Sequence, residues 1–204
     1  MSERSEPVLE IRNLCVERGG NTLCRISRLT VDRAERVALV GSNGSGKTTL
    51  LRVLSGLEGA FEGDVAVSVA VRERVYLHQL PYLFQGSVLA NVMLGAAARK
   101  LPRRQQLAEA RQWLDRLGVS HLADRQSARL SGGERRRVAL ARTFITGARL
   151  LLLDEPFADL DRSGIDGVCR AMAALPEATF LISSPGALPQ QLADARVNYL
   201  DPLA

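Results

Sequence analysis

The sequence predicts an α/β fold with a mainly parallel sheet, a small N-terminal antiparallel β region and an inserted helical subdomain. Four short apolar runs are typical of buried parallel strands: residues 37–40, 75–77, 150–153 and 179–182. Polar residues follow these runs, and ligands of open α/β sheets bind outside the carboxyl ends of the strands. We therefore expect the chemistry along one edge of the sheet.

Two further patterns predict the other parts of the fold. Residues 8–16 and 29–32 indicate strands, with a turn at residues 19–21 that contains two glycines. Between residues 81 and 130 the apolar residues recur at helical spacing up to a glycine stop, as in Leu107, Ala110, Leu114, Leu117 and Gly118. This stretch is typical of helices inserted between two strands of a sheet.

The length of 204 residues suits one domain. We expect its core to comprise residues 1–79 and 131–204, and its helical subdomain to span about residues 80–130. No apolar stretch reaches the roughly 18 residues needed to cross a bilayer. The polar residues 1–7 do not resemble a secretory signal. The sequence thus predicts a cytosolic protein that reaches a membrane only through a partner.

The net charge of +5 raises the possibility of binding to nucleic acid or anionic lipid. The basic residues are nearly all arginine, however, and Lys47 and Lys100 are the only lysines. This bias is more consistent with codon usage than with a binding surface. The basic cluster at residues 99–104 fits a solvated loop better than a lipid or partner contact. We expect no nucleic-acid partner.

Residues 41–48 match the pattern GxxxxGK[ST] between an apolar run and a predicted helix from about Lys47 to Gly56. Glycines at these positions let successive backbone N–H groups point at a β-phosphate, while a lysine neutralises phosphate charge and a hydroxyl binds Mg²⁺. The motif predicts the core of a P-loop NTPase. Its predicted nucleotide-binding residues are Gly41, Ser42, Asn43, Gly44, Ser45, Gly46, Lys47, Thr48 and Thr49.

Polar residues that follow three of the predicted strands supply candidates for metal binding and catalysis. Asp154 and Glu155 end a run of four leucines, so a buried strand positions both carboxylates. We expect Asp154 to hold Mg²⁺ with Thr48, and Glu155 to polarise the attacking water. The amide of Gln79 could both contact the metal and orient that water.

The segment Leu-Ser-Gly-Gly-Glu at residues 130–134 precedes a predicted helix at residues 134–144. Ser131 offers a hydroxyl, Gly133 offers unhindered backbone, and a helix N-terminus favours anions. A glycine turn before a surface helix would explain Ser-Gly-Gly alone. The neighbouring motifs favour a second phosphate-contacting site.

The order and spacing of these motifs resemble the nucleotide-binding subunit of the ATP-binding cassette (ABC) transporter superfamily over about residues 8–184. Residues 158–161 then match the D-loop of the family, whose aspartate is Asp161. The resemblance implies that two cassettes pair head to tail around two ATP molecules. Ser131 and Gly133 of one copy would face Lys47 and Thr48 of the other.

The resemblance also implies partners. ATP hydrolysis would drive a transmembrane permease contacted through residues 80–92, where Tyr82, Leu83 and Phe84 form an apolar group that we expect to be exposed. The chain would act as a homodimer or pair with a second ABC subunit, on the inner face of the cell membrane. Residues 81–92 are most similar to bacterial importer subunits for small solutes, such as tungstate-like oxyanions. A short exporter-type subunit is the alternative.

Two positions depart from the family pattern. Ser184 stands where the family has a histidine that touches the γ-phosphate, and both histidines of the chain lie before residue 130. Loss of one such donor typically slows the reaction by about 10²–10³-fold, which predicts slow ATP hydrolysis or a nucleotide-gated switch that hardly hydrolyses. Arg18 stands near the usual adenine-stacking aromatic and could stack through its guanidinium plane.

Overall fold

The computed structural model describes residues 7–200. Residues 1–7, on which the prediction about a secretory signal rests, lie mainly outside the described part of the chain. The described chain groups into two units. The first unit comprises residues 7–76, 149–155 and 177–200, and the second comprises residues 77–148 and 156–176. The domain boundaries expected from the sequence remain a prediction.

Within the described residues the structure has eight strands and five α-helices. The strands are β1 (Pro7–Arg18), β2 (Asn21–Asp32), β3 (Arg36–Val40), β4 (Glu62–Val67), β5 (Arg74–Leu77), β6 (Leu150–Asp154), β7 (Thr179–Ser184) and β8 (Arg196–Tyr199). The helices are α1 (Lys47–Ser55), α2 (Val88–Ala96), α3 (Arg103–Arg116), α4 (Gly132–Phe144) and α5 (Arg162–Ala173). No helix among residues 7–200 is long and apolar enough to cross a membrane.

The larger sheet has the strand order β5-β6-β7-β3-β8, and β6, β7, β3 and β8 pair in parallel. Strands β6 and β7 are buried along their whole length. Burial on both faces explains why these strands appear as continuous apolar runs in the sequence. The register pairs Asp154 with Ser183, which brings the carboxyl ends of β6 and β7 side by side. The predicted α/β fold is confirmed.

The smaller sheet is antiparallel, with the order β2-β1-β4. Strand β2 is longer than the four residues predicted for it, because exposed Arg25 and Arg28 interrupt its apolar residues. Buried Cys24 and Ile26 alternate with them, as expected for a strand with one face in the core. Because charged and apolar residues alternate at the beginning of this strand, it contains no continuous apolar run there, and the sequence pattern did not predict it.

The second unit contains α2, α3, α4 and α5. Trp113 of α3 is buried and packs against Phe144 of α4, with 5.6 Å between the ring centroids. Trp113 is therefore a core residue of this unit. Helix α4 begins two residues before its predicted start, because Ser131 forms the N-cap. The helix thus starts inside the Leu-Ser-Gly-Gly-Glu segment.

Replacement of Leu152 by alanine should lower the free energy of unfolding by about 2–5 kcal/mol, because it leaves a cavity in the hydrophobic core against one face of the sheet. Leu152 is fully buried in the middle of β6. Urea denaturation followed by circular dichroism measures the effect. The matched control is Leu57→Ala, since Leu57 is 62% exposed and should change stability little. Equal losses in the two variants would contradict the burial of Leu152 in the core.

Candidate nucleotide-binding site

The loop of residues 41–48 joins the end of β3 to the start of α1 in the first unit. Gly44 and Gly46 have φ angles of 86° and 88°, which favour glycine. A Cβ atom on Gly46 would lie 2.7 Å from the carbonyl oxygen of Leu23. No side chain fits there, so the loop curls with its backbone bare. This is the geometry that phosphate binding by backbone N–H groups requires.

Lys47 is buried at the first position of α1, and its ammonium group holds the loop together. Its Nζ donates hydrogen bonds to the carbonyl oxygens of Gly41 at 2.6 Å and Ser42 at 2.8 Å. Burial lowers the pKa of Lys47, whereas the nearby charges of Glu155 and Asp154 oppose this shift. The N-terminus of α1 has no side-chain cap, so its first N–H groups remain available to an anion.

Asp154 lies at the end of β6 and is only 1% exposed. Three hydroxyl groups donate hydrogen bonds to its carboxylate. Thr48 Oγ1 lies 2.9 Å and Tyr76 Oη 3.0 Å from Oδ2, and Ser183 Oγ lies 2.6 Å from Oδ1. A buried carboxylate needs such donors, because desolvation penalises its charge. The structure therefore brings together two residues predicted to bind the metal, Thr48 and Asp154.

Sequence reasoning missed Tyr76 and Ser183 at this site. Tyr76 lies inside the apolar run 75–77, and Ser183 directly follows the run 179–182, where the predicted site residue is its neighbour Ser184. A hydroxyl within a buried strand next to the carboxylate-bearing strand was the available signal. Burial, followed by the charge of Asp154, raises the pKa of the Tyr76 phenol, which keeps this donor protonated.

Glu155 follows Asp154 and has a φ angle of 47°, which is uncommon for a residue with a side chain. Its backbone N–H donates a hydrogen bond to Ser183 Oγ at 2.9 Å. This contact, together with the register of β6 and β7, holds the turn in which the predicted catalytic carboxylate lies.

Ser184, predicted as a catalytic residue, is buried at the end of β7. Its carbonyl oxygen accepts a hydrogen bond from the N–H of Gly41 at 3.3 Å, and its Oγ accepts one from the N–H of Gly186 at 3.3 Å. The backbone of Ser184 thus ties β7 to the start of the loop. The catalytic role of its hydroxyl remains a prediction.

Arg18, the predicted adenine contact, lies at the end of β1 with its side chain exposed. Its guanidinium forms an ion pair with Glu58, with 2.6 Å between Nη2 and Oε2. The ion pair orients the guanidinium plane, and the stacking role remains a prediction.

The other predicted site residues belong to the second unit. Gln79 is exposed two residues after β5. Ser131 forms a capping box with Glu134: its Oγ accepts the N–H of Glu134 at 3.3 Å, and its own N–H donates to Glu134 Oε2 at 2.7 Å. The hydroxyl predicted to contact phosphate thus also starts helix α4.

Gly133 and Asp161 lie in segments that pack closely within the second unit. A Cβ atom on Gly133 would lie 2.8 Å from the carbonyl oxygen of Asp159, so only glycine fits. The carboxylate of Asp161 caps α5 by accepting the N–H of Gly164 at 2.8 Å, and this bond is the main cause that lowers its pKa. The nucleotide contacts of these residues remain predictions.

The loop before α2 presents the side chains predicted to contact a permease. Leu80 and Tyr82 are 76% and 67% exposed, and Phe84 is also exposed, whereas Leu83 is buried. The expectation that Leu83 is exposed is therefore wrong. Buried Asn91 anchors the loop by accepting the N–H of Phe84 at 2.8 Å and donating to its carbonyl at 3.0 Å.

The oxygen atoms of Thr48 and Asp154 suit a magnesium ion. The Thr48 hydroxyl and the Asp154 carboxylate are oxygen ligands, and Mg²⁺ commonly takes one or two protein ligands together with substrate phosphates and water. Among residues 7–200 no cluster of three His, Cys, Asp or Glu side chains could hold a metal by itself. Two oxygen ligands next to the phosphate loop suit a metal that also binds substrate phosphates, and the metal contact of Gln79 remains a prediction.

Comparison with known proteins defines the class to which this site belongs. The family model described as ABC transporter matches residues 24–158, which include the loop, Asp154 and Glu155. The chain belongs to the ABC transporter family, as the sequence motifs predict.

Particular relatives are named as transport subunits. The chain is 40% identical to the sulfate/thiosulfate import ATP-binding protein CysA of Bradyrhizobium diazoefficiens, over 75% of this chain and 48% of the relative. It thus spans about half the length of that protein. It is 34% identical to the lipoprotein-releasing system ATP-binding protein LolD of Shewanella denitrificans, over 85% of this chain and 82% of the relative.

A solved structure of similar fold is cbiO1 from Clostridium perfringens, part of the ABC transporter complex cbiONQ. The TM-score is 0.74 at 27% identity, covering 89% of this chain and 80% of that chain.

The capping box predicts how substitutions at Ser131 affect stability. Ser131→Ala should lower the free energy of unfolding by about 1 kcal/mol, whereas Ser131→Gly should lower it by only a few tenths, because glycine is tolerated as an N-cap. Chemical denaturation of the two variants measures the difference. Equal stability of Ser131→Ala and the unmodified chain would show that the cap contributes nothing.

Proposed function

We propose that the chain is an ATP-binding and ATP-hydrolysing subunit of a membrane transporter. The observation that carries this proposal is the hydrogen bond of 2.9 Å between Thr48 of the phosphate loop and the buried carboxylate of Asp154. It joins the two halves of a magnesium–nucleotide site in a chain that belongs to the ABC transporter family.

The residues of the first unit divide the chemistry of hydrolysis among them. The bare loop N–H groups hold the phosphates, and Lys47 exchanges its loop carbonyls for phosphate oxygens. Thr48 and Asp154 would hold Mg²⁺, which supplies charge neutralisation at the phosphates. Glu155 accepts a proton from the attacking water. Ser184 can donate one hydrogen bond to the γ-phosphate but cannot become cationic.

A second copy of the chain, or a related subunit, completes the site. Ser131 and Gly133 of that copy would contact the γ-phosphate, with Asp161 nearby. The N-terminus of α4, whose helix spans 13 residues, supports this role, because its dipole favours an anion. Because nucleotide would be held between the two copies, its binding would draw them together and its hydrolysis would let them separate. This movement would drive the permease.

The partner in the membrane would be a permease held on the cytoplasmic face through residues 80–92. Exposed Leu80, Tyr82 and Phe84 support an apolar contact. The ring of Phe84 lies beneath the guanidinium of Arg142 at 5.7 Å, and Arg142 donates to the carbonyl of Tyr82 at 2.6 Å. These bonds and those of Asn91 hold the loop in one conformation before any partner binds.

The transported solute is proposed as a small oxyanion taken up into the cell. The identity of 40% to a sulfate/thiosulfate import protein supports uptake of a small oxyanion, the class to which the tungstate-like solute suggested by the sequence also belongs. Similarity to LolD over 85% of the chain favours release of lipoprotein as the second candidate. ATP hydrolysis measured in membranes that contain the chain and its permease separates the two candidates. Stimulation by sulfate or thiosulfate would favour oxyanion uptake over lipoprotein release.

A slow nucleotide-gated switch is a further candidate, because Ser184 replaces the family histidine. A motor and a switch both form dimers with ATP and differ in the lifetime of those dimers. A dimer of the unmodified chain that persists for many minutes with Mg²⁺ and ATP would favour the switch.

Glu155→Gln should abolish steady-state ATP hydrolysis and leave ATP affinity within about threefold, because the amide cannot accept the proton of the attacking water. It should also yield an ATP-dependent dimer on size-exclusion chromatography. The matched control is Glu177→Gln, which should hydrolyse ATP like the unmodified chain, because Glu177 is exposed in the same unit before the start of β7. Normal hydrolysis by Glu155→Gln would overturn the assignment of Glu155.

Ser184→His should raise kcat for ATP hydrolysis by up to about 10²-fold, because the imidazole adds a longer and cationic donor near the γ-phosphate. Phosphate release by purified protein measures the rate. Ser184→Ala serves as the control and should show no increase. An unchanged rate in Ser184→His would contradict the view that this position limits hydrolysis.

A further inference from the structure

Ser183 is a fully buried hydroxyl that contacts both parts of the proposed catalytic machinery. Its Oγ donates to Asp154 Oδ1 at 2.6 Å and accepts the backbone N–H of Glu155 at 2.9 Å. One hydroxyl therefore links the carboxylate that would hold Mg²⁺ to the backbone that carries the general base. The parallel register of β6 and β7, which pairs Asp154 with Ser183, fixes this position.

The contact with Glu155 matters because of the backbone conformation there. A φ angle of 47° is uncommon for a residue with a side chain and persists where surrounding contacts support it. The Ser183 hydroxyl accepts the N–H of this residue, so it stabilises the turn that aims the Glu155 side chain. Removal of that acceptor would deprive the Glu155 N–H of this hydrogen bond and weaken the turn that positions the carboxylate.

Tyr76 supports Asp154 from the other neighbouring strand. Its hydroxyl donates to Asp154 Oδ2 at 3.0 Å, the same oxygen that accepts from Thr48. Thr48 belongs to the phosphate loop and would exchange contacts when nucleotide binds. Tyr76 and Ser183 belong to strands β5 and β7 and are anchored independently of the loop. They can therefore hold the carboxylate in the same orientation with and without nucleotide.

We propose that Ser183 and Tyr76 are positioning residues with different duties. Ser183 positions both the Asp154 carboxylate and the Glu155 turn, whereas Tyr76 positions the Asp154 carboxylate. This inference rests on the proposed function of the same site. It assigns roles to two hydroxyls that act through Asp154 and the Glu155 turn, and the two roles produce different kinetic signatures.

The test uses Tyr76→Phe, Ser183→Ala and Ser183→Thr in the purified chain. The Mg²⁺ dependence of the shift in melting temperature caused by ATP is measured first, and kcat and KM for ATP are then measured at saturating Mg²⁺. Partners that orient a metal ligand typically alter metal affinity or activity by about 10–100-fold when removed. Tyr199→Phe is the matched control, because the side chain of Tyr199 is exposed in the same unit.

Tyr76→Phe should raise the Mg²⁺ concentration for half-maximal shift by about tenfold and keep kcat within about threefold of the unmodified chain at saturating Mg²⁺. Ser183→Ala should raise the same Mg²⁺ concentration and also lower kcat by at least about tenfold, with KM little changed. Ser183→Thr keeps the hydroxyl and should restore both quantities. Tyr199→Phe should change neither.

Three results would overturn the inference. They are an unaltered Mg²⁺ dependence in both Tyr76→Phe and Ser183→Ala, a kcat of Ser183→Ala equal to that of the unmodified chain, and a Ser183→Thr variant as impaired as Ser183→Ala. Melting temperatures without nucleotide identify any variant that is merely unstable. If the unmodified chain binds Mg²⁺ and ATP but does not hydrolyse ATP, the proposed ATPase function fails. The Mg²⁺ titration then still tests the positions of the two hydroxyls.

Discussion

The carboxylate of Asp154 lies almost fully buried at the end of β6, where desolvation opposes its charge, and hydroxyl donors from two other strands and from α1 stabilise it. The neighbouring parts of the site depend on this arrangement. Thr48 links the carboxylate to the phosphate loop, and Ser183 links it to the Glu155 turn. A site built in this way can accept a metal and nucleotide with little rearrangement of its strands.

The phosphate loop contains a buried cation, Lys47, whose charge also needs hydrogen-bonding partners. Without nucleotide, the ammonium group of Lys47 is satisfied by carbonyl oxygens of its own loop, which also keeps the loop curled. Burial lowers the pKa of this lysine, and the charges of Asp154 and Glu155 oppose that shift. Electrostatic balance across the site therefore supports a charged lysine ready for phosphate oxygens.

The second unit carries residues that have both structural and proposed functional duties. Ser131 caps α4, Asp161 caps α5, and Gly133 allows the segments that contain them to approach closely. Each cap accepts one N–H of the first turn, that of Glu134 or of Gly164, and the preceding N–H groups of the turn have no partner within the helix. The same side chains would therefore contribute both to helix stability and to phosphate recognition. A substitution of Ser131 would change both properties together.

The sequence by itself determined the α/β class, most of the strands, the glycine-rich loop before α1 and the place of Asp154 and Glu155 at the end of a buried strand. These features depend on local spacing: glycines that permit positive φ angles, and apolar runs that require burial on both faces. Only the tertiary structure decided that Ser183 and Tyr76 join the site, because their role depends on which strands lie next to β6 and in what register. It also decided that Leu83 is buried between exposed neighbours, since the carbonyl of Phe84 in that loop accepts a hydrogen bond from Ser127, which is distant in sequence and which no local pattern encodes.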